Sequence, residues 1–586
     1  MTQRLSEQPR VECCRHVGLR CPKPCEWLRC YRSREGATRA NLNPEGATMT
    51  VVVPAGARAS VDDGSGRFEF LVVGAGPVGL TTAMLLGRRG HRVLVVERWP
   101  VRYPLPRACT IDHEALRILQ SAGVMQHHND LFEPSRGERG GYQIRNGAGE
   151  LLRQINWNRP AESGWANTNG FYQPDLEAAL ETMAGELPTV EIRRGCSAVG
   201  VDQDDTGVNL TIQSTSGTTS RVRGNWLIAC DGANSAIRGL VGLESASADF
   251  EADWLVVDYQ PIVDREWDAF VTQYCDPAQP ATAVKSGPGR RRFEFMRRQD
   301  ITVEELGRPE TAWRLMQPWN VTPANARLER HAVYTFRGRW ADEWRRGRVL
   351  LAGDAAHLMP PFLGQGLCAG LRDASALAWR LSMIADGQAA PSVLDSYTTE
   401  RRAHVREIID AAIDIGKVIC ELDPKRAAQR DARMKAELAD ETVEPPHPRL
   451  GQPSLARIGD EHAGTLSVQG RVEVDGRAGL FDEITGGSWQ LIGLDIDPMV
   501  QVGEELREWF AEIGGTSTAV GRRGAVRDVD DTYRTWFGTH DCRIVLSRPD
   551  FYIYGTGDEN DVADLLDALR ATLTGLSVPT RSGAAS

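Results

Sequence analysis

The apolar run Phe70-Leu-Val-Val73 breaks at Gly74-x-Gly76-x-x-Gly79 and resumes as a helical apolar pattern to Gly87, which reads as a buried strand, a tight turn and a helix. A second run, Arg92-Val-Leu-Val-Val96, predicts a strand ending at Glu97. Helical spacing follows at 114–120, closed by Gly123, and again at Leu176, Ala179, Leu180 and Met183 behind a cap at Asp175. Strands are expected at 190–192, 208–212 and 226–230, the last meeting Asp231-Gly-Ala-Asn-Ser235-Ala-Ile-Arg238. From about 245 to 340, short strands such as Trp254-Leu-Val-Val-Asp258 and Ala332-Val-Tyr-Thr-Phe336 alternate with polar loops, predicting a β-rich lobe. A strand at 348–352 returns to the first domain and delivers Asp354, and Gly366 opens a helix with Leu371, Ala374, Leu377, Ala378 and Leu381 on one face. Another amphipathic helix follows Tyr397.

These patterns predict an α/β protein. A discontinuous, Rossmann-like first domain spans 67–245 and 341–420 with interleaved lobe segments, and a β-rich substrate lobe is inserted at 246–340. Charged, proline-bearing sequence at 421–455 reads as a linker, and 456–586 as a small α/β unit with strands at 489–494, 543–546 and 551–554 and helices at 504–513 and 562–573.

The glycine turn carries specific chemistry. Gly74 permits the turn, Gly76 lets backbone approach a pyrophosphate, and Gly79 lets helix and strand pack closely, with Pro77 and Val78 inside the turn. The helix N-terminus supplies free amides and partial positive charge. Glu97, 18 residues after Gly79 and followed by Arg98, suits an adenosine ribose. On this fingerprint alone NAD would serve as well as FAD. The nearly charge-free stretch 70–87 has a membrane-like length, but four glycines and a proline at turn spacing favour the strand and helix.

The 586 residues suffice for several cores, and a net charge of −11 without a long basic run argues against nucleic acid or an anionic membrane as partner. Five of the twelve cysteines, Cys13, Cys14, Cys21, Cys25 and Cys30, crowd the head, and the others are scattered singly, so the body reads as reduced and cytoplasmic. The head lacks both an apolar signal core and the paired Cys-x-x-Cys spacing of strong zinc sites. No metal is expected. Residues 1–66 are read as a disordered extension, with Met49 as an alternative start.

The order of glycine fingerprint, Asp231-Gly232 segment and Gly353-Asp354-Ala-Ala-His357-Leu-Met-Pro-Pro361 resembles the class A FAD-dependent aromatic hydroxylases, over roughly 68–420. Within that class the chain looks most like the 3-(3-hydroxyphenyl)propionate hydroxylase branch. The likeness rests on Pro106-Arg-Ala108, Ile111-Asp-His-Glu-Ala-Leu-Arg117, Phe171-Tyr-Gln-Pro174, Trp254-Leu-Val-Val-Asp258, Gly287-Pro-Gly-Arg-Arg-Arg-Phe-Glu-Phe-Met296 and Gly364-Gln-Gly-Leu-Cys-Ala-Gly-Leu-Arg-Asp373. The resemblance implies FAD as cofactor, NADH or NADPH as co-substrate, and oxygen transfer from a flavin C4a-hydroperoxide to a small aromatic substrate.

It also implies roles for single residues. Asp354 would accept from ribityl hydroxyls, while the amides of Gly366, Leu367 and Cys368, near Gly353 and Gly364, would face the flavin pyrimidine. Where Cys368 stands the family usually has asparagine. Arg107, Gln173 and Asp231 match positions that touch the cofactor, Asp231 together with Arg238. Pro360 and Pro361 would fix a turn over the flavin, and His113, Trp254, Tyr274 and Tyr334 are candidates for the substrate wall. His357 is assigned no proton transfer. Each residue also has a plainer reading: Asp231 and Asp354 as turn starters, Arg107 as an ion-pair partner, Gln173 as a helix start, the aromatics as core. The tail resembles the thioredoxin-like appendage of this class, especially at Arg548-Pro-Asp550, but has no Cys-x-x-Cys, which favours a packing or dimer-forming module and leaves a homodimer open. A flavin oxidase, dehydrogenase or epoxidase on a polyketide-like substrate, and a non-catalytic flavin-binding sensor or sequestering protein, are the alternatives.

Overall fold

A computed structural model describes residues 68–575 except 136–140, 158–160, 264–265, 268, 438–448, 453, 487 and 523. The extension at 1–66, with its cysteine-rich head and Met49, lies outside the described residues, as does part of the expected linker.

Among the described residues three large sheets organise the chain, beside a small three-stranded one of Thr110–Asp112, Thr168–Phe171 and Phe132–Pro134. In the first, the strands run Arg345–Arg346, Val349–Leu351, Thr219–Ala229, Phe68–Val73, Val93–Glu97, Val190–Arg194, with Cys196–Asp204 and Gly207–Ser214 attached through Thr219–Ala229. Phe68–Val73 pairs in parallel on both edges, so its side chains from Phe70 to Val72 are wholly buried and its unbroken apolar run is explained. The expected strand at 226–230 is the buried end of the longer Thr219–Ala229. Its first half pairs with an antiparallel neighbour and carries alternating polar residues, which conceal it in the sequence.

The second sheet runs His357–Leu358, Ala326–Ala341, Ser245–Pro261, Arg291–Met296, Ala281–Lys285, Val271–Cys275, Tyr142–Asn146, Leu151–Ile155. Its two faces differ. Leu255, Val257, Tyr259, Phe293, Phe295, Ala281 and Ala283 form an apolar face packed with Ala312 and Met316 of the helix Pro309–Met316. The intervening residues, among them Asp258, Arg292, Glu294, Thr282 and Gln273, point the other way, because successive strand residues alternate.

The third sheet, Arg477–Leu480, Arg471–Val474, Val526–Asp528, Gly515–Gly521, Trp489–Leu494, Ile544–Ser547, Ile553–Gly557, has helices Glu504–Glu512 and Val562–Thr574 packed into one core and Thr532–Thr539 into another. The strand expected at 551–554 begins at Ile553, because Phe551 takes a left-handed conformation with φ +70° and ends a turn.

This C-terminal module is bolted to the first domain by buried charges. Arg548 bonds both Glu400 oxygens at 2.9 Å and Asp550 at 2.6 Å, Arg380 bonds Glu400 at 2.5 Å, and Arg117 bonds Asp482 at 2.6 Å. The expected linker at 421–455 contains the helix Pro424–Glu437, a correction to the sequence reading. Only Ala427, Arg430 and Met434 face inward, a pattern too sparse in apolar residues to signal a helix, yet Arg430 donates to the Cys275 and Val418 carbonyls. Among the described residues no helix is long and apolar enough to cross a membrane.

Candidate functional site

A cavity of about 1190 Å³ lies where the first sheet, the polar face of the second sheet and the C-terminal module meet. It exceeds the ~300–1,000 Å³ that holds one drug-sized ligand, leaving room for a dinucleotide and a small ring together.

Two helix N-termini open into it. The helix Pro77–Gly87 starts behind Gly76 and the helix Gly366–Ala385 behind Gln365, and neither first turn has a side-chain cap, so both present unpaired amides. The glycines divide by what a side chain would meet. A Cβ on Gly76 would have nothing within 4 Å, whereas one on Gly79 would lie 2.0 Å from the Gly74 carbonyl oxygen, and one on Gly370 would lie 2.6 Å from Val78. Gly74, at φ +109°, would meet the Cys230 oxygen at 2.3 Å. Gly74 and Gly79 serve strand–helix packing, while Gly76 keeps open a space that no protein atom fills. These residues fit a bound pyrophosphate.

Asp354 and Arg107 face the same cavity and reach solvent through it, enclosed by protein elsewhere. Burial lifts the Asp354 carboxyl above its ordinary range, opposed by Arg107 and then by His357. The Gly353-Asp354 loop is fixed from behind: Asp373 accepts from Gly353 N at 2.9 Å, from Arg401 at 2.9 Å and pairs with His357 Nε2 at 2.7 Å. Against the burial that raises it, His357 and Arg401 hold Asp373 below the usual carboxylate range. Gln173, buried at the start of the helix Gln173–Glu186, accepts from the amides of Arg107 at 3.2 Å and Ala108 at 2.7 Å. The helix starts there, two residues before the expected cap at Asp175, because Pro174 suits its first turn. Pro361 lines the cavity in a short turn, Pro361–Leu363, that Gly364 ends at φ +66°; Pro360 precedes it and is not part of the wall.

Other expected residues stand apart from the cavity wall. Glu97 accepts from Ala75 N and Trp99 N, both at 2.8 Å, and Arg98 lies against the Trp99 ring. Asp231 accepts from Ile237 N at 3.1 Å beneath the short helix Ala236–Leu240, while its neighbours Cys230 and Gly232 line the cavity. Arg238 donates to the Ala355 carbonyl at 2.7 Å. The Cys368 sulfur turns back to accept from Asp112 N at 3.4 Å. Only its backbone belongs to the helix start.

Of the aromatic wall candidates, only His113 lines the cavity, with Nδ1 3.1 Å from the Ser163 hydroxyl. Tyr274 is one residue out of phase with Gln273 and projects to the opposite face, against Trp319. Trp254 is fully buried behind Phe362, stacked on Phe336. Tyr334 packs beside Arg330 and Tyr103, off the wall. The wall instead uses residues the sequence reading left unassigned: Tyr142, Gln273, Thr282, Arg292 and Glu294 from the sheet, and Asp112, Glu114 and Arg372 from the first domain. A signal was present in Arg292-Phe-Glu-Phe295, where charged and aromatic residues alternate as a two-faced strand requires. Glu114 also accepts from Tyr552 of the C-terminal module at 2.8 Å.

A family model for an FAD binding domain matches residues 67–412, and one for an HcaD C-terminal domain matches residues 464–572. The chain belongs to the class A FAD-dependent aromatic hydroxylases, flavoprotein monooxygenases that use FAD, NAD(P)H and dioxygen to hydroxylate phenolic rings. It is 38% identical over 530 residues to the probable NADH-specific resorcinol 4-hydroxylase of Rhodococcus jostii (strain RHA1), covering 88% of this chain and 97% of that protein. To the 3-(3-hydroxy-phenyl)propionate/3-hydroxycinnamic acid hydroxylase of Mycobacterium sp. (strain KMS) it is 32% identical, covering 86% of this chain and 91% of the relative. Among solved structures, aklavinone-11 hydroxylase in ternary complex with FAD and aklavinone superposes with a TM-score of 0.68 at 25% identity, over 86% of this chain and 99% of that one. The flavin-dependent monooxygenase PieE shares the fold, with a TM-score of 0.70 at 22% identity, over 87% and 99%.

Proposed function

We propose that this chain hydroxylates a small monocyclic phenol with NADH as the preferred electron donor, and that the cavity described above holds both FAD and the phenol. The observation that carries the placement is the unfilled space beside Gly76, faced by two uncapped helix N-termini and the Asp354 carboxylate. The preference for NADH and for a small ring follows the similarity to the resorcinol hydroxylase.

In this reading the amides behind Gly76 take the pyrophosphate, Glu97 at the strand end stands by the adenosine ribose, and Asp354 accepts from the ribityl chain. Arg107, tied down by Gln173, approaches the cofactor from the opposite wall. Bound FAD supplies the redox chemistry, two electrons from NADH and the activation of dioxygen. The balance is one NADH, one proton, one O2 and one phenol giving NAD⁺, the hydroxylated phenol and water. The amides of Gly366 and Leu367 place partial positive charge where a reduced cofactor would carry negative charge. Phe362 and Trp157 bound the space with apolar surface and limit water. The C-terminal module, in the same proposal, is a thioredoxin-like packing unit of a cytoplasmic enzyme: among its described residues Cys542 is the single cysteine, so it holds no dithiol pair.

Oxidation of NADH and of NADPH by the FAD-loaded protein, followed with resorcinol, with 3-(3-hydroxyphenyl)propionate and with a polyketide phenol, tests this. Strong stimulation by a monocyclic phenol with NADH is expected. Stimulation confined to the polyketide, or none by any phenol, would overturn it.

A further inference from the structure

The cavity runs on past the space assigned to FAD and the ring. On the helix Asp395–Ile419, His404, Glu407, Ile408, Ala411 and Ile415 all line it. They recur every three or four residues, so they form one stripe along one face, and from His404 to Ile415 that stripe rises about 16 Å. At one end Ile415 packs with the cluster of Phe362, Tyr142 and Val271, three residues that also line the cavity. At the other end the His404 ring lies 6.2 Å from that of Tyr552 in the C-terminal module. The module's His462, Thr465 and Leu466 line the cavity as well.

The module end opens to water, since Glu162, Glu407 and Arg449 line the cavity and are exposed. In the reading above FAD fills the cavity from Gly76 to Gly366, which closes that side to a phenol seeking the ring site. The stretch between is built for polar contents. His404 is 2% exposed, and Arg401 Nη1 lies 2.5 Å from its Nδ1. A guanidinium only donates, so Nδ1 accepts and the ring proton sits on Nε2. That N–H makes no hydrogen bond among the described residues, although His404 lines the cavity. A buried donor of this kind is satisfied by water or by a ligand passing it, which a sealed apolar void would not supply.

We propose that the helix Asp395–Ile419 and the C-terminal module wall a passage by which the phenol reaches the ring site and the product leaves it. The inference rests on the hydroxylase reading above and goes beyond it by giving the module a part in turnover. The lining matches the traveller: His404, His462 and Thr465 meet the hydroxyls in the outer part, and Ile408, Ala411 and Ile415 meet the ring farther in. An obstruction in a passage alters neither the free nor the bound state, so it raises the barrier equally in both directions. A residue that holds the bound ring behaves differently, because its loss appears in koff.

The test compares FAD-loaded wild type, Ala411→Phe and Thr465→Phe. Ala411 is half-buried and packs in none of the hydrophobic cores, so a larger side chain there extends into the passage, and Thr465 obstructs it from the module side. Stopped-flow mixing with resorcinol reads kon and koff from the change in flavin absorption, and FAD content controls for a built site. In both variants kon and koff should fall together, each by roughly tenfold, with Kd within about threefold of wild type. Unchanged kon in flavin-loaded Ala411→Phe would place the entry elsewhere, and unchanged kon in Thr465→Phe would remove the module from the route. Weaker binding through koff alone would assign the substituted residue to the ring site. Each of these overturns the passage while leaving the hydroxylase reading intact. If one variant does not retain flavin, the other decides the matter. A wild type that neither binds nor hydroxylates a phenol overturns both.

Discussion

Replacing Gly76 and Gly79 separately with alanine divides cofactor contact from packing. Gly76 has φ −81° and ψ −179°, extended backbone that alanine adopts without strain, and its added methyl would meet no protein atom within 4 Å. Gly76→Ala should therefore leave the apoprotein as stable as wild type, or more stable by about 0.4–1 kcal/mol through the stiffer unfolded chain. The methyl instead occupies the space assigned to the pyrophosphate. Losing one amide bond to a charged phosphate costs about 1.5–3 kcal/mol, which is about ten- to a hundredfold in FAD affinity. Gly79→Ala is the converse: its Cβ would lie 2.0 Å from the Gly74 oxygen, so strand and helix must move apart, at a cost of about 1–3 kcal/mol or more. The assay is urea unfolding of each apoprotein, followed by FAD titration of the folded forms by flavin fluorescence. A stable Gly76→Ala protein that binds FAD within twofold of wild type would refute the placement of the pyrophosphate. Equal stability of the Gly79 variant would refute the packing role.

Three further outcomes are expected. Asp354→Ala should fold and bind FAD about ten- to a hundredfold more weakly, since a charge-assisted bond to the ribityl chain is lost; equal dissociation constants in the titration would reject that bond. Glu400→Ala leaves Arg380 and Arg548 in a fully buried site with Asp550 as the one carboxylate still shared between their two charges, and should cost about 3–5 kcal/mol in urea unfolding, against which a loss below about 1 kcal/mol would count. Burial pushes the thiols of Cys109, Cys275 and Cys420 up to about 12, whereas in the unfolded chain they ionise near 9.0. The unfolded state then releases protons first, so stability present below pH 9 should fall as pH rises from about 9 toward 12. The urea midpoint should drop between pH 8 and 10.5, less so in Cys275→Ala, and a midpoint that does not move would contradict the burial effect.

What could be read from the sequence was whatever rested on local, strong periodicity. Phe68–Val73, its glycine turn and the following helix combine an apolar run with an obligatory backbone geometry, so strand, turn and helix are all readable. The same holds for the return of Val349–Leu351 to the first sheet, delivering Asp354. Features decided by distant partners were not. Gly515–Gly521 is rich in Thr and Gly, yet it is a strand because it lies between Trp489–Leu494 and Val526–Asp528. Tyr274 reads as a wall residue until its phase relative to Gln273 is known, and nothing local in the sequence tells that Asp231 accepts from Ile237 N. The helix Pro424–Glu437 buries an arginine that serves carbonyls from other segments, which composition cannot reveal. Glu294 sat in a segment noticed for its resemblance, but its exposure to the cavity depends on which face of Arg291–Met296 the C-terminal module and first domain enclose.

The central claim is that this chain transfers one oxygen atom from dioxygen to a phenol ring within this cavity. Turnover of the FAD-loaded protein with NADH and resorcinol under ¹⁸O2, with mass spectrometry of the product, tests it most directly. One ¹⁸O atom per new hydroxyl, formed in step with NADH consumed, is predicted. NADH consumption that yields hydrogen peroxide and an unlabelled, unhydroxylated ring would contradict it.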